Sequence, residues 1–524
     1  MKNIQLALLV LLTVTVTSAQ NFNGFALYNS QGSSTTYLID ENENIAHTWN
    51  MNTECNYTVA LKENGNLVRG TKGNTSVFSS GNIAAGAGLV QEIAPDGTIV
   101  WEYIYANSDH ISHHDLTLVG DNVLLTAYAK KTSTELNDAG FNNASSEKWP
   151  THFVELEPDG NGGANIVWEW HIWDHMCQDT DANKPNYAAD ISDKPELLDI
   201  NMIQSQGPPG GDWFHVNGVD YNEDLDQIVF SSRFASEIYI IDHSTTTTEA
   251  ATHSGGNSAM GGDILYRWGN PSNYGMSGSQ IIDNAVHDAR WITDDGRPNG
   301  GYLQIFNNSG VSNSVSAIDG IDAPWDAATN TYLRTAGQAF APSSYTTRYE
   351  CAYSSSGQSA SDRMSNGNIY VNASGGQGGG AGVMYEVNAS GSIVWGPYNA
   401  QSQKGFRYEC DYPGIIALET YMNTATTSCF TATSINDIDD DIISIFPNPT
   451  KDIITIKFEA TTLQDIDIKI VNSLGQNVFE NTISNYIGTL TEKVNLSSFS
   501  EGLHFLKITT DKGQSITEKI AHIK

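Results

Sequence analysis

LVQEIAPDGTIVW, residues 89–101, is a strand, a polar turn at Asp96-Gly97 and a second strand that ends in Trp. Apolar residues alternating on either side of such a turn are the signature of a β-hairpin. The unit recurs as YLIDENENIAHTW at 37–49, VELEPDGNGGANIVW at 154–168 and MYEVNASGSIVW at 384–395. Tyr239 to Trp268 reads as a further copy whose turn is expanded by a Thr- and Ser-rich insertion around Thr245 to Ser258. Between the hairpins lies a second recurring element, a turn followed by a short apolar strand: ENGNLVRG (63–70), VGDNVLLTAY (119–128), NEDLDQIVFSS (222–232), PNGGYLQIFNN (298–308) and SNGNIYVNASGG (365–376). Two alternating β elements recurring at intervals of tens of residues predict the blades of an all-β propeller, roughly six of them between residues 21 and 430, with a degenerate one near 311–350. A series of β-sandwiches accounts for the strands but not for the recurrence of both elements.

The chain has 524 residues, too many for one ordinary core, and its 47 Gly and 10% aromatic content suit many short strands joined by turns. A formal net charge of -34 repels nucleic acid and anionic lipid, so no nucleic-acid partner is expected. The same field repels small anions, and an anionic substrate needs a local cluster of donors to overcome it. At the start, Lys2, the apolar run Leu6 to Val16 and the small residues Thr17-Ser18-Ala19 read as a signal peptide over residues 1–19. The run is too short for a membrane anchor, and no later stretch approaches spanning length. An exported chain carries its five Cys into an oxidising compartment, where pairing leaves at least one over. No CxxC spacing occurs, and no metal or other cofactor is expected.

Composition changes after Cys429. Residues 431–442, with SINDIDDD at 434–441, form a polar, acidic linker that lacks the spaced Asp and Gly pattern of a calcium loop. From there IITIKF, DIDIKIVN, LGQNVFEN, TEKVNL and LHFLKITT alternate with turns, predicting a small β-sandwich over 443–524. FPNP at 446–449, NSLGQNVFE at 472–480 and GLHFLKITT at 502–510 resemble the C-terminal sorting domain of the type IX secretion system. That resemblance implies export across a second membrane by the type IX machinery and removal of the domain; an adhesive or carbohydrate-binding module is the alternative.

Most of the His residues fall inside the repeat region, and three occupy one place in it. His114 in HHDLTLVGDNVLL, His215 in WFHVNGVDYNEDLDQIVF and His287 in VHDARWITDDGRPNGGYLQIF each precede a turn and an apolar strand by similar distances. Each is therefore expected on the innermost strand of its blade, where strands line a common axis. In DWFHVNGVDYNEDLDQIVFSSR, residues 212–233, Asn217 and Arg233 join them across a hairpin. Three imidazoles could hold zinc, but a guanidinium beside a dication is repelled. Arg with Asn and His donors suits a tetrahedral oxyanion such as sulfate or phosphate, held by forked, charge-assisted hydrogen bonds. One imidazole could then act as a nucleophile and another exchange a proton with the leaving or entering oxygen. No GxxxxGK loop is present, so a nucleotide donor is not expected. His171, Asp174 and His175 in WEWHIWDHMCQD could bind a cation, but three nearby Trp favour a structural or pocket-wall role. Trp213, Phe214 and Tyr221 are read as core.

HHDL at 113–116, DWFHVNGVDY at 212–221, SSR at 231–233, LYRWGNP at 265–271 and HDARW at 287–291 resemble the bacterial arylsulfate sulfotransferase family over roughly residues 25–425. The resemblance implies a six-bladed propeller that moves a sulfuryl group from a phenolic sulfate ester to a phenol by a ping-pong route, without a nucleotide sulfate donor. By matching motifs it implies that His287 is the sulfated nucleophile and that His215, Asn217 and Arg233 hold the sulfuryl oxygens. It gives His114 a part in proton transfer or donor binding. The family usually has Gln before the nucleophilic His, where Val286 stands here. A non-catalytic propeller that binds a glycan or protein, and an aryl sulfate hydrolase, are the alternative readings.

Overall fold

The computed structural model describes residues 23–524 apart from 31, 204–210, 279, 281–284, 313, 376–379, 431–442, 473–475, 511–514 and 524. The expected signal peptide and acidic linker lie outside the described residues. The chain divides into two compact units, Met1–Thr426 and Thr427–Lys524.

The first unit holds six four-stranded antiparallel sheets. In the second to sixth sheets the strands follow chain order: the second starts with Cys55–Leu61, the third with His110–Val119, the fourth with Val216–Asn222, the fifth with Val286–Trp291 and the sixth with Ala360–Arg363. The first sheet joins the two ends of the unit, because Gly24–Ser30 pairs with Ser402–Glu409. These first-named strands, with Ser402–Glu409 standing for the first sheet, are the inner ones. Each packs against the inner strands of the sheets before and after it, and the order closes on itself.

The repeated hairpins of the sequence are the outer strands. Gly88–Ile93 pairs with Ile99–Ile104, bringing Glu92 opposite Trp101, and Glu237–Asp242 pairs with Tyr266–Trp268 across the expected insertion. Between neighbouring sheets the apolar faces interlock; Phe153, Trp170, Phe230 and Tyr239 lie in one cluster shared by the third and fourth sheets. The segment expected to be degenerate supplies the outer half of the fifth sheet, where Val315–Ile321 pairs with Thr347–Glu350.

One ionic network runs through all six inner strands. Lys404 from the first sheet is fully buried, with Nζ 2.7 Å from Asp115 Oδ2 of the third and 3.2 Å from Asp288 Oδ1 of the fifth. Asp115 also accepts hydrogen bonds from Thr58 Oγ1 of the second sheet and from Val219 N of the fourth, the latter at 2.9 Å. Asp288 accepts from Ser361 N of the sixth at 2.9 Å. A buried charge left without its partner is strongly destabilising, about 3–5 kcal/mol, so the network penalises any slip of one inner strand against the next.

The second unit corrects the expected sandwich. Its five strands form one sheet that curls as a half-barrel. Ile453–Asn472 is a single 20-residue strand: its first half pairs with Ile443–Phe446, its second half with Gly502–Thr510, and Asn477–Asn495 follows its whole length. Register shifts between Ala460 and Ile466 bend it. Ile454, Ile456, Ile466, Ile468, Leu506 and Ile508 therefore enclose one core without a second sheet.

Cys410 and Cys429 are disulfide-bonded. Cys55, Cys177 and Cys351 are buried free thiols, so three Cys remain over from pairing.

Candidate active site

At the start of three inner strands the regular ladder breaks. The register shifts between Ser112 and Leu116, between Val216 and Gly218, and between His287 and Arg290. His114 and His215 sit at φ 49°, and Asp288, next to His287, at φ 56°. Left-handed φ costs a non-glycine residue on the order of 1–2 kcal/mol, and bulges of this kind re-aim side chains at functional sites. Here they turn His114, His215 and His287 out of their sheets into one cavity of about 290 Å³, which Arg233 also lines. Four of the five expected site residues thus share a wall.

Asn217 does not line that cavity. Its Nδ2 donates to the Val286 carbonyl at 2.8 Å, and its Oδ1 accepts from Ser231 Oγ at 2.7 Å. It ties the fourth inner strand to the residue before His287 and acts as a brace. The approach is close because Gly218 follows: a Cβ there would stand 2.7 Å from Asp288 N. Only glycine lets the two backbones meet at that distance.

His287 is fully buried. Its Nδ1 lies 2.6 Å from Asn308 Oδ1. The Asn308 amide is itself oriented, since Nδ2 donates to the carbonyls of Ser355 at 2.9 Å and Gln358 at 3.2 Å. An amide oxygen only accepts, so Nδ1 of His287 carries the hydrogen and Nε2 is left with a bare lone pair. Nε2 is buried and has no hydrogen-bond partner among the described residues. Burial, then the Arg233 charge, holds the imidazole well below its usual range despite Asn308, so the ring is neutral near pH 7.

His114 is buried and held low for the same first reason, with His215, His113, His287 and Lys404 adding to it. Its Nδ1 is 2.7 Å from Nδ1 of His113, so one ring donates to the other. His215 meets His114 edge to face, with ring centroids 4.5 Å apart. Its Nδ1 bonds to the buried Asp212 carboxylate, which fixes the ring and turns Nε2 away from Asp212. Arg233 is anchored through its backbone N, which donates to the His215 carbonyl at 3.1 Å. Its guanidinium makes no hydrogen bond among the described residues; burial draws its pKa down and Asp212 opposes that.

Sequence reasoning missed Asn308, Lys404, Tyr57 and Gln358. Tyr57 packs its edge on His114, with centroids 5.8 Å apart. Gln358 lines the cavity, and its buried amide oxygen has no hydrogen-bond partner among the described residues. Two signals were available. An Asp follows the histidine in both HHD and HD, and these are the carboxylates that hold Lys404; Asn308 closes the PNGGYLQIFNN element. Of the weighed trio His171, Asp174 and His175, His171 stacks on His152 at 4.6 Å, while His175 meets Asp263 and not Asp174. Among the described residues the only group of His, Cys or carboxylate side chains placed to share a metal ion is His175, His253 and Asp263, outside this cavity.

The cavity thus gathers three imidazoles and a guanidinium whose side chain makes no hydrogen bond among the described residues. The chain belongs to the arylsulfotransferase family, whose model matches residues 12–323, more than half of the sequence. Residues 444–524 match the secretion system C-terminal sorting domain, so the protein is exported, to the cell surface or beyond it. No helix among the described residues is long and apolar enough to cross a membrane. No curated protein matches the chain.

Among solved structures, a protein from Lactobacillus plantarum aligns at 9% identity over 90% of this chain and 100% of its own, with TM-score 0.36. A luciferin-regenerating enzyme aligns at 9% identity over 68% of this chain and 85% of its own, with TM-score 0.31. Apo AztD from Citrobacter koseri aligns at 10% identity over 91% and 99%, with TM-score 0.30. Likenesses this low carry no argument about function.

Proposed function

We propose that the protein is a secreted arylsulfate sulfotransferase that moves a sulfuryl group from a phenolic sulfate ester to a phenol through a sulfated His287. The observation that carries this reading is the bare, unpartnered Nε2 of His287 in a cavity that also presents Arg233. We take the six sheets as blades of a propeller spanning residues 21–430. A signal peptide over residues 1–19 precedes it, and a linker at 431–442 leads to the sorting domain at 443–524. The cyclic order of inner strands and the pairing of Gly24–Ser30 with Ser402–Glu409 support the closed ring.

In the first half-reaction the Nε2 lone pair forms a bond to sulfur as the bond from sulfur to the phenolic oxygen breaks, and the electron pair leaves with the phenolate. The sulfated ring keeps its Nδ1 hydrogen on Asn308, whose oxygen faces the positive charge the ring acquires. Arg233 holds the sulfuryl oxygens as charge builds on them, with His215 beside it, its Nδ1 fixed on Asp212. In the second half-reaction the acceptor phenol attacks sulfur and the bond to Nε2 breaks. His114, neutral because burial disfavours its charged form, takes the phenolic proton and releases it to solvent.

Asn217 serves this reading indirectly, by fixing the strand that carries His287. The test is to incubate the protein with a chromogenic aryl sulfate, with and without a second phenol. Phenol-dependent release of chromophore, and one added sulfuryl group by intact mass after brief exposure to the donor alone, are expected. Full activity in His287→Ala rejects the mechanism, and release that ignores the phenol makes the enzyme a hydrolase.

A further inference from the structure

Away from the cavity, one cluster brings two imidazoles and a carboxylate to one point. His175 ends the short 3-10 turn Ile172–His175 that follows the third sheet. His253 and Asp263 come from the insertion between Glu237–Asp242 and Tyr266–Trp268 of the fourth sheet. The three residues bring one ligand atom each to within 4.8 Å of one another.

His175 is fully buried and lies parallel to Trp170, centroids 5.4 Å apart and planes 3° apart, so its ring cannot turn freely. Its Nε2 is 2.8 Å from the Ala250 carbonyl. A carbonyl only accepts, so Nε2 carries the hydrogen and the neutral ring has a bare lone pair at Nδ1. That lone pair faces Asp263 Oδ1, another acceptor, at 2.8 Å. The same oxygen is 2.7 Å from Nδ1 of His253. Two lone pairs at this distance repel unless something positive lies between them. A proton or a divalent cation bonded to both atoms removes the repulsion, and the cation would also take the His253 nitrogen that lies on the same oxygen.

Metal-binding histidines characteristically give their other N–H to a backbone carbonyl or carboxylate, and His175 already does so. We propose that Nδ1 of His175, Nδ1 of His253 and Oδ1 of Asp263 form a zinc site. Two imidazoles and one carboxylate are a zinc donor set, with the fourth tetrahedral position left to water on the exposed His253 side. Bonds of about 2.0–2.1 Å to each ligand place the donor atoms roughly 3.3 Å apart, so Asp263 withdraws by about half an ångström on loading. The metal clips the insertion of the fourth sheet to the end of the third, where Trp170 Nε1 already donates to the Gly262 carbonyl at 2.7 Å. The site is independent of the sulfuryl chemistry.

The test uses the full exported chain, stripped with a chelator, dialysed and titrated with zinc chloride. Calorimetry and elemental analysis are expected to give one zinc per chain and a raised melting temperature. His253→Ala alters a half-exposed ring and is expected to fold, which circular dichroism checks. It should weaken zinc at least about tenfold, the least that loss of even an outer partner costs, and abolish the thermal shift. Asp263→Asn should do the same. Failure of the stripped wild type to take up zinc, or equal uptake by His253→Ala, overturns the site.

Discussion

His287 and His175 are both fully buried imidazoles, and their wiring differs at both nitrogens. Nδ1 of His287 meets a neutral amide oxygen from Asn308; Nδ1 of His175 meets a carboxylate oxygen from Asp263. Nε2 of His287 has no hydrogen-bond partner among the described residues, whereas Nε2 of His175 is capped by a backbone carbonyl. A neutral partner that fixes the tautomer and a free second nitrogen suit the nucleophile we propose at His287. A charged partner with a capped second nitrogen suits the metal ligand we propose at His175. Residue type and burial are the same in the two places, and the partner atoms decide what the ring can do.

The comparison breaks most plainly at the free nitrogen. His287→Ala should lower sulfuryl transfer by on the order of 10⁵-fold or more, as loss of a catalytic nucleophile does, and abolish the mass increment from the donor. His287→Ala with near-normal turnover would mean that the bare Nε2 is not the reacting atom. Arg233→Ala should cost about 3 kcal/mol of transition-state stabilisation, on the order of 10²–10³ in kcat, with a smaller effect on KM. Asn308→Ala should lower kcat by roughly 10–100-fold by freeing the tautomer, and restoring part of the rate with Asn308→Gln would support an orienting role.

Acid sharpens the comparison at the level of stability. Burial holds His113, His114, His152 and His287 well below 6.5 in the fold. In the unfolded chain they take up protons near 6.5, so below that pH the unfolded state binds more protons and stability falls. Each such ring contributes a slope of at most about 1.4 kcal/mol per pH unit. Asp220, pushed up to about 6 by burial, works in the opposite sense below pH 6 and offsets part of the loss. Denaturant midpoints that stay flat from pH 7 to 5 would contradict this. The smallest effect is expected at the other histidine: His253→Ala should leave transfer rates unchanged within twofold, measured beside its loss of zinc.

Much of this was legible in the chain. Hairpins ending in Trp49, Trp101, Trp168 and Trp395 marked the outer strands, because alternation and turn residues are local properties. The three histidines could be placed on inner strands because each held one position in a repeat. The curled single sheet of the second unit was not legible, since the number of layers depends on where a long strand bends. Asn217 was misplaced for a related reason: it lies two residues from His215 in a strand, and the bulge between Val216 and Gly218 decides which way it faces.

By itself, then, the sequence determined an exported, all-β chain with a repeat, a sorting domain and a set of in-register histidines, all of which follow from short-range pattern and composition. Tertiary structure alone decided which nitrogen of His287 is bare. That depends on Asn308, 21 residues away, and on the Ser355 and Gln358 carbonyls that orient its amide. It also decided that Lys404 ties Asp115 to Asp288, and that Asp263 stands between His175 and His253. Proton positions and buried ion pairs are properties of partners, and partners far apart along the chain are chosen only when the sheets close on one another.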